Sequence, residues 1–181
     1  MKERPEIRSA EGKLGVLLPG FGAVATTLVA GVEAVRRGLA APIGSLTQMQ
    51  TIRLGKRTES RTPLIKDFVD LASLDQLVFG AWDPIPDDGY ASAVNAGVLD
   101  RHEHLEPIKD FLQSIQPMAA AFDPEYVKKL NGPNVKSGPN KRDLAEQIRS
   151  DIRTFKETHG CDRCVMVWCG STEIFLRPGS Q

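Results

Sequence analysis

Apolar and polar positions along this chain form blocks that predict a strand, a tight turn and a helix near its start. The apolar run LGVLL, over about residues 14 to 18, is typical of a buried strand. The turn Pro19-Gly20-Phe21-Gly22 follows, and Gly38 and Pro42 are typical of the end of a helix that begins after it. The helical period predicts one buried face, formed by Val24, Leu28, Val32, Val35 and Leu39.

Strand and helix patterns continue to alternate along the rest of the chain. Buried strands are predicted in QLVFGAWD and CVMVWC, and helices in PLIKDFVDLASL, in YASAVNAGVL, from near Pro107 to Ile115, and in KRDLAEQIRSDIRTFKETHG. Thr62 and Asn140 are candidate N-caps, whereas residues 41–60 carry no secure pattern. Strands that alternate with helices predict an α/β fold, in which a parallel sheet carries helices on both faces.

Composition limits the classes of function. The chain has 181 residues, enough for a single domain with a proper core, and its 23 lysines and arginines balance its 23 aspartates and glutamates. This balance gives no support to a nucleic-acid or membrane partner. The N-terminal segment is charged, and the apolar run after it is too short for a signal or membrane segment, so we expect a cytoplasmic protein.

Cysteine and histidine do not predict a metal site. Cys161 and Cys164 form a C-x-x-C and Cys169 is separate, so zinc would lack a second pair of ligands. Because Cys164 opens an apolar strand pattern and not a helix, the pair is also unlike a redox motif, and we interpret these cysteines as small buried apolar residues. His102 and His104 belong to a polar connection, where a solvated loop is the favoured interpretation.

The first turn carries the main candidate chemistry. Gly20-x-Gly22-x-x-Ala25 matches the dinucleotide-binding fingerprint with alanine in third place, and the required strand precedes it and the required helix follows it. In that motif the pyrophosphate lies at the N-terminus of the helix, where free amides and the helix dipole favour negative charge. A turn between strand and helix that holds no ligand remains the alternative.

The acidic residue that normally binds the adenosine ribose, about 20 positions after the fingerprint, is missing. The segment APIGSLTQMQTIRL contains no aspartate or glutamate. Asp83 is the candidate, because it ends the strand pattern VFGAWD and ligands bind at the carboxyl edge of such sheets. The alternative is that Asp83 only begins the turn at Pro84.

Several stretches together resemble the myo-inositol-1-phosphate synthases, in their bacterial branch. They are PGFGAVATTLVAGVEAVRRG, LVFGAWDPIPDDGYASAVNAGVL, FDPEYVKKLN and VMVWCGSTEIF, in the order of the family. The resemblance implies a Rossmann-like NAD-binding domain over residues 1–181 and NAD as cofactor. It implies glucose 6-phosphate as substrate, isomerised to inositol 1-phosphate by oxidation at C5, aldol ring closure and reduction by the same NADH.

Cofactor contacts follow from the resemblance where a motif matches. It implies that Phe21, Gly22, Ala23 and Val24, after Gly20, hold the pyrophosphate. Ala81-Trp82-Asp83 matches the family's Gly-Trp-Asp, so Asp83 is expected on the adenosine ribose. Ser171 and Thr172, in the stretch that matches Asn-Thr-Glu, are expected to face the cofactor. The resemblance also implies cofactor contacts at Ala120 and Asn131, but the match is weaker there, because relatives often carry serine at the first position and glutamine at the second.

The chain departs from the family in length. Members are much longer, with their catalytic lysines and the sheet used in oligomerisation after the Ser-Thr-Glu stretch, so we expect the parallel sheet here to be incomplete and the homo-oligomer to need the full length. We assign no catalytic residue, and Lys109, Lys128 and Lys129 are expected to be solvated. The chain is thus interpreted as the NAD-binding part of a synthase; the alternatives are a non-catalytic binding module or regulatory subunit and, with less support, a dehydrogenase with its own substrate site.

Overall fold

Four parallel strands form the centre of the fold. The computed structural model describes residues 11–123, 125, 127 and 130–170. The strands are β1 (Lys13–Pro19), β2 (Leu77–Asp83), β3 (Met118–Ala119) and β4 (Cys161–Met166). Their spatial order is β3-β2-β1-β4, and every pair is parallel. This is the order of the first four strands of the Rossmann fold, so the predicted α/β class is confirmed.

Helices connect the strands and cover both faces of the sheet. They are α1 (Ala23–Arg36), α2 (Leu46–Met49), α3 (Ile65–Phe68), α4 (Gly89–Ala96), α5 (Lys109–Gln113) and α6 (Lys141–His159). Helices α1, α4 and α5 pack on one face around a core that includes Leu18, Phe21 and Leu112. Helix α6 packs on the other face through Phe155, against Leu17 and Trp82. Asn140 caps α6 as predicted, since its side chain accepts from the Asp143 amide at 3.0 Å.

The buried face of α1 differs from the prediction. Val24 and Leu28 are 69% and 41% exposed, and Leu39 lies beyond the helix and is also exposed. The buried residues are Ala25, Thr26, Val29, Ala30 and Glu33. The prediction followed the large apolar side chains, but small residues let a helix lie close to the sheet, and close packing of α1 on β1 requires them. Val32 and Val35 lie half-buried at the border of this face.

The connection between α1 and β2 is an excursion over residues 41–76. Isolated antiparallel bridges join Thr51 to Leu64 and Leu54 to Arg61. The predicted helix from Pro63 is wrong except for the single turn α3, and Leu64, not Thr62, is its N-cap. Backbone bonds across the excursion explain this, because Ile52 donates to the Pro63 carbonyl at 3.0 Å and thereby holds that residue in an extended pairing.

Strand β4 lies at one edge of the sheet. It begins at Cys161, earlier than predicted, and the predicted run is not buried: Val165 and Met166, at the end of β4, are exposed, as are Val167 and Trp168 after it, the latter at 74%. Within residues 11–123, 125, 127 and 130–170, no strand pairs with its outer side. A nearly continuous apolar run is typical of a parallel strand covered on both faces, and the run CVMVWC, which starts within β4 and continues to Cys169, has this composition although it lies at an edge.

None of the described helices is both long and apolar enough to cross a membrane.

Candidate functional site

The turn between β1 and α1 lies at the carboxyl edge of the sheet, and Gly20 gives it its shape. Gly20 has φ +91°, and its amide donates to the Trp82 carbonyl at 2.8 Å. A Cβ at this position would lie 2.7 Å from the Cys169 carbonyl oxygen. A side chain is therefore disfavoured both by the backbone conformation and by the approach of the chain after β4.

Gly22 faces open space. It is the N-cap of α1 with φ −87°, and a Cβ built on it meets nothing within 4 Å. Among the residues that the structure describes, no side chain caps this end of α1 and no acidic residue lies in its first turn. Ala23 and Val24 are exposed there, and the first amides of a helix have no acceptor within it. The N-terminus of α1 is thus accessible, and its free backbone amides and the positive end of the helix dipole favour an anion there.

Asp83 is joined to this turn. Its Oδ2 accepts from the Phe21 amide at 2.7 Å, and its Oδ1 accepts from the Ile85 amide at 2.9 Å. The Phe21 side chain is only 1% exposed and packs against Gly89 in the core, so this residue meets a ligand through its backbone or not at all. Each carboxylate oxygen has two acceptor positions, so both oxygens of the half-buried Asp83 keep one for a further donor.

The missing acid after the fingerprint is explained by the excursion over residues 41–76. In the usual βαβ unit the second strand follows the first helix directly, which gives the spacing of about 20 residues. Here the excursion delays β2, and Asp83 stands at the end of the strand next to β1, with Pro19 opposite Trp82 in the register. Asp83 thus ends the strand next to β1, beside the turn at Gly20–Gly22, although it lies much farther along the sequence than the usual spacing.

A segment after β3 closes on the same edge. Ala120 is buried and its amide donates to the Asn134 carbonyl at 2.9 Å. The Asn134 side-chain amide donates to the Asp83 carbonyl at 2.9 Å and to the Pro117 carbonyl at 3.3 Å. Asn131 is exposed on this segment, next to Gly132, whose backbone lies against Pro84. Sequence reasoning missed Asn134; the only signal is its place in a loop rich in asparagine, glycine and proline.

Ser171 and Thr172 lie outside the described residues. The chain directly before them reaches the turn, because the Cys169 amide donates to the Pro19 carbonyl at 2.9 Å and Gly170 lies beside Gly20.

Of the cysteines, Cys169 lies at this edge, whereas Cys161 begins β4 at the opposite end of the strands. Cys161 is buried beside Phe155, and burial raises the pKa of its thiol and that of Cys169. His102 and His104 are exposed on a helical turn, where the Asp100 amide donates to His104 Nδ1 at 3.0 Å. In the described part of the chain, no three or more histidine, cysteine, aspartate or glutamate side chains are grouped to hold a metal ion.

A groove of about 390 Å³ lies between α6 and the sheet. Phe79 and Phe155 line it, and Thr158 and His159 at the end of α6 border it. These last residues directly precede β4, so the groove extends toward the amino ends of the strands, away from the turn at Gly20–Gly22.

Comparisons with known proteins agree on one family. An NAD-binding domain model described as myo-inositol-1-phosphate synthase matches residues 14–181. Inositol-3-phosphate synthase 1 of Bacteroides thetaiotaomicron is 47% identical over 174 residues, which cover 96% of this chain and 40% of that protein. Inositol-3-phosphate synthase of Brassica napus is 34% identical over 179 residues, which cover 90% of this chain and 34% of that protein.

A solved structure shares the fold. The crystal structure of inositol-3-phosphate synthase from Caenorhabditis elegans matches with a TM-score of 0.78 and 27% sequence identity, over 89% of this chain and 35% of that one. The chain therefore spans 40% or less of the length of these three relatives.

Proposed function

The chain belongs to the myo-inositol-1-phosphate synthase family and corresponds to its NAD-binding domain, and from this premise we propose that it is the cofactor-binding part of an inositol-3-phosphate synthase. The observation that carries the proposal is the open helix end at Gly22, joined through the Phe21 amide to Asp83. The relatives compared above are synthases, which does not favour a separate regulatory subunit.

The residues at the turn fit a dinucleotide. The space above Gly22, which a Cβ would enter without meeting protein, admits a pyrophosphate. The amides of Ala23 and Val24 would hold its oxygens, and the positive end of α1 would compensate its charge. Ala25 is fully buried, as the third position of the fingerprint requires for close packing of helix and strand.

Asp83, at the end of β2, would hold the adenosine half of the cofactor. Asp83 would accept from the hydroxyls of the adenosine ribose while it continues to hold the Phe21 amide, since each of its oxygens has an acceptor position left. Ala120 and Asn131, on the neighbouring segments, would border the cofactor near Asp83. Ser171 and Thr172 lie outside the described residues, and for them we propose, from the family resemblance, that they would face the cofactor.

The proposed reaction converts glucose 6-phosphate to inositol phosphate. When bound, NAD supplies the oxidation at C5 and the later reduction, so the overall reaction is an isomerisation. This chain contributes the binding and orientation of the cofactor. Acid–base groups must lie within hydrogen-bond reach of the sugar, and we assign none of them to the described residues. Residues 1–181 alone are therefore expected to bind NAD weakly and to be inactive, and the homo-oligomer is expected only at the relatives' full length.

A chimera tests this proposal. Residues 14–181 replace the matching part of the Bacteroides thetaiotaomicron synthase, which is 47% identical, and inositol phosphate formed from glucose 6-phosphate and NAD is measured. We expect turnover by the chimera and none by residues 1–181 alone.

The same chimera with Gly22→Val is the matched control and should be folded but inactive. A chimera that folds and has the expected oligomeric state but neither binds NAD nor turns over would contradict the proposal. Turnover by residues 1–181 alone, free of contaminating enzyme, would show that the catalytic groups lie in this chain.

A further inference from the structure

Three side chains meet below the carboxyl end of β2, on the face covered by α6. The Trp82 indole Nε1 donates to Asp151 Oδ2 at 2.7 Å, and the Lys136 ammonium lies 2.9 Å from the same oxygen. The side chains of Lys136 and Asp151 are only 12% and 20% exposed. A shielded ammonium requires a partner, and among the described residues Asp151 is the one acid paired with Lys136.

Trp82 and Lys136, the two partners of Asp151, both belong to segments that contact the candidate cofactor site. The carbonyl of Trp82 accepts from the Gly20 amide at 2.8 Å, and Trp82 immediately precedes Asp83. On the other side, the Lys136 amide donates to the Ala120 carbonyl at 2.8 Å, which aligns its segment with the chain after β3. Asp151 is thus a single acceptor shared by the strand that carries Asp83 and by the segment that closes on it.

The segment before Lys136 is the part that contacts Asp83. Asn134 donates through its side chain to the Asp83 carbonyl at 2.9 Å and through its backbone amide to the Pro84 carbonyl at 2.9 Å. Only Val135 separates Asn134 from Lys136, and Val135 forms a parallel bridge with Ala120. A displacement of Lys136 therefore moves the Asn134 amide relative to the end of β2.

We propose that Lys136 and Asp151 are positioning residues. They hold Asn134 against Asp83 at the carboxyl edge of the sheet and thereby set the position of the Asp83 carboxylate beside the Gly20–Gly22 turn. This inference rests on the proposed function for its consequence, the binding of NAD. The placement of Asn134 and Asp83 is a property of the chain without ligand. A residue that only stabilised the fold would change the unfolding temperature without changing this edge selectively.

The first experiment compares amide resonances of ¹⁵N-labelled residues 1–181 without cofactor. In Lys136→Met we expect shifted resonances for the Asn134 side-chain amide and for the Phe21 and Ile85 amides, which donate to Asp83. Lys136→Arg, which can still pair with Asp151, should restore the parent positions. The matched control is Lys141→Met. Lys141 begins α6, and its ammonium is 86% exposed and paired with Asp123, so its removal should leave these resonances unchanged.

Asp151→Asn is the second variant, in case Lys136→Met does not fold. Its side-chain oxygen still accepts from Trp82 Nε1 but carries no charge for Lys136, so the Asn134 amide should shift in the same direction. Unchanged Asn134, Phe21 and Ile85 resonances in the folded variants, or shifts of equal size throughout the chain, would overturn the proposal.

The second experiment titrates parent and variants with NAD. If the parent binds, we expect Lys136→Met to raise the dissociation constant about fivefold or more, and Lys141→Met to leave it unchanged. Equal dissociation constants in Lys136→Met and the parent would overturn the link to the cofactor. Absence of NAD binding by the parent would count against the proposed function. The NMR comparison without cofactor would still decide whether Lys136 positions Asn134 and Asp83.

Discussion

Gly20 and Gly22 stand two positions apart in one turn, and the structure predicts opposite consequences when each gains a side chain. Gly22→Val places a side chain in open space at a φ of −87°, which valine adopts without strain. Gly20→Ala instead imposes a side chain at φ +91°, with its Cβ 2.7 Å from the Cys169 carbonyl oxygen. The first variant should lose the cofactor and keep the fold, and the second should lose stability.

The expected change in stability follows from the geometry. At Gly22, valine is a poorer N-cap by about 1 kcal/mol, but the loss of glycine's freedom in the unfolded chain offsets about 0.4–1 kcal/mol. The net change is within about 1 kcal/mol, or about 4 °C in the thermal midpoint for a domain of this size. At Gly20, backbone strain of about 1–3 kcal/mol adds to the overlap with Cys169, so the midpoint should fall by at least about 4 °C.

Gly22→Val should change the free energy of NAD binding by more than it changes the free energy of unfolding. Two amides that hold a charged pyrophosphate contribute about 1.5–3 kcal/mol each, and the valine side chain of Gly22→Val keeps the ligand from both. A loss of about 3 kcal/mol already weakens binding about 150-fold. Because residues 1–181 are expected to bind NAD weakly, ligand-observed NMR at millimolar NAD is the suitable assay, alongside thermal unfolding followed by circular dichroism.

Undiminished NAD binding by Gly22→Val would refute the placement of the pyrophosphate. Collapse of its circular dichroism spectrum would show that Gly22 serves the fold, which is the alternative of a turn without ligand.

Three further changes test other parts of the account. Asp83→Ala should weaken NAD binding by about 1–3 kcal/mol, the loss of a charge-assisted hydrogen bond, and also lower stability because the Phe21 amide loses its acceptor; equal NAD affinity would remove the ribose assignment. The hydrogen bond from Arg37 lowers the pKa of the Asp110 carboxyl. Its stabilisation is therefore fully present above the ordinary aspartate pKa and lost as pH falls through the lowered value, so Asp110→Asn should flatten the acid side of a plot of thermal midpoint against pH. The exposed edge at β4 should make the chain self-associate with rising concentration in light scattering, and Trp168→Ser should reduce this; a parent that stays monomeric would contradict it.

The strand, turn and helix at the start could be predicted because their determinants are local. The apolar run, the turn glycines and the small third residue of the fingerprint all lie close together in the sequence, within β1, the turn and the first turn of α1. The buried face of α1 could not be predicted from apolar periodicity, since Val24 and Leu28 remain exposed while Ala25 and Ala30 approach the sheet. Side-chain size at the contact decided which face packs, and a count of large apolar residues does not measure it.

The rest of the site depends on contacts between distant parts of the chain. Asp83 could be predicted from its place at a strand end, but its bond to Phe21 depends on β1 and β2 being neighbours across the long excursion. Asn134 and Asp151 carry no local signal, because each acts on the end of β2 from a segment that the fold alone brings there. For β4 the apolar run CVMVWC indicated a strand, but the strand covers only the first three residues of that run, and its edge position depends on which strands are present beside it.

A chemical-shift map of NAD binding would show whether the open helix end at Gly22 is the cofactor site. Residues 1–181, labelled with ¹⁵N, are titrated with NAD to millimolar concentration, and the shifts are assigned to residues. We expect weak, saturable shifts that are largest for the amides of Gly22, Ala23 and Val24, with smaller ones around Asp83. Shifts confined to the groove lined by Phe79 and His159, or an unchanged turn at the highest NAD concentration, would contradict it.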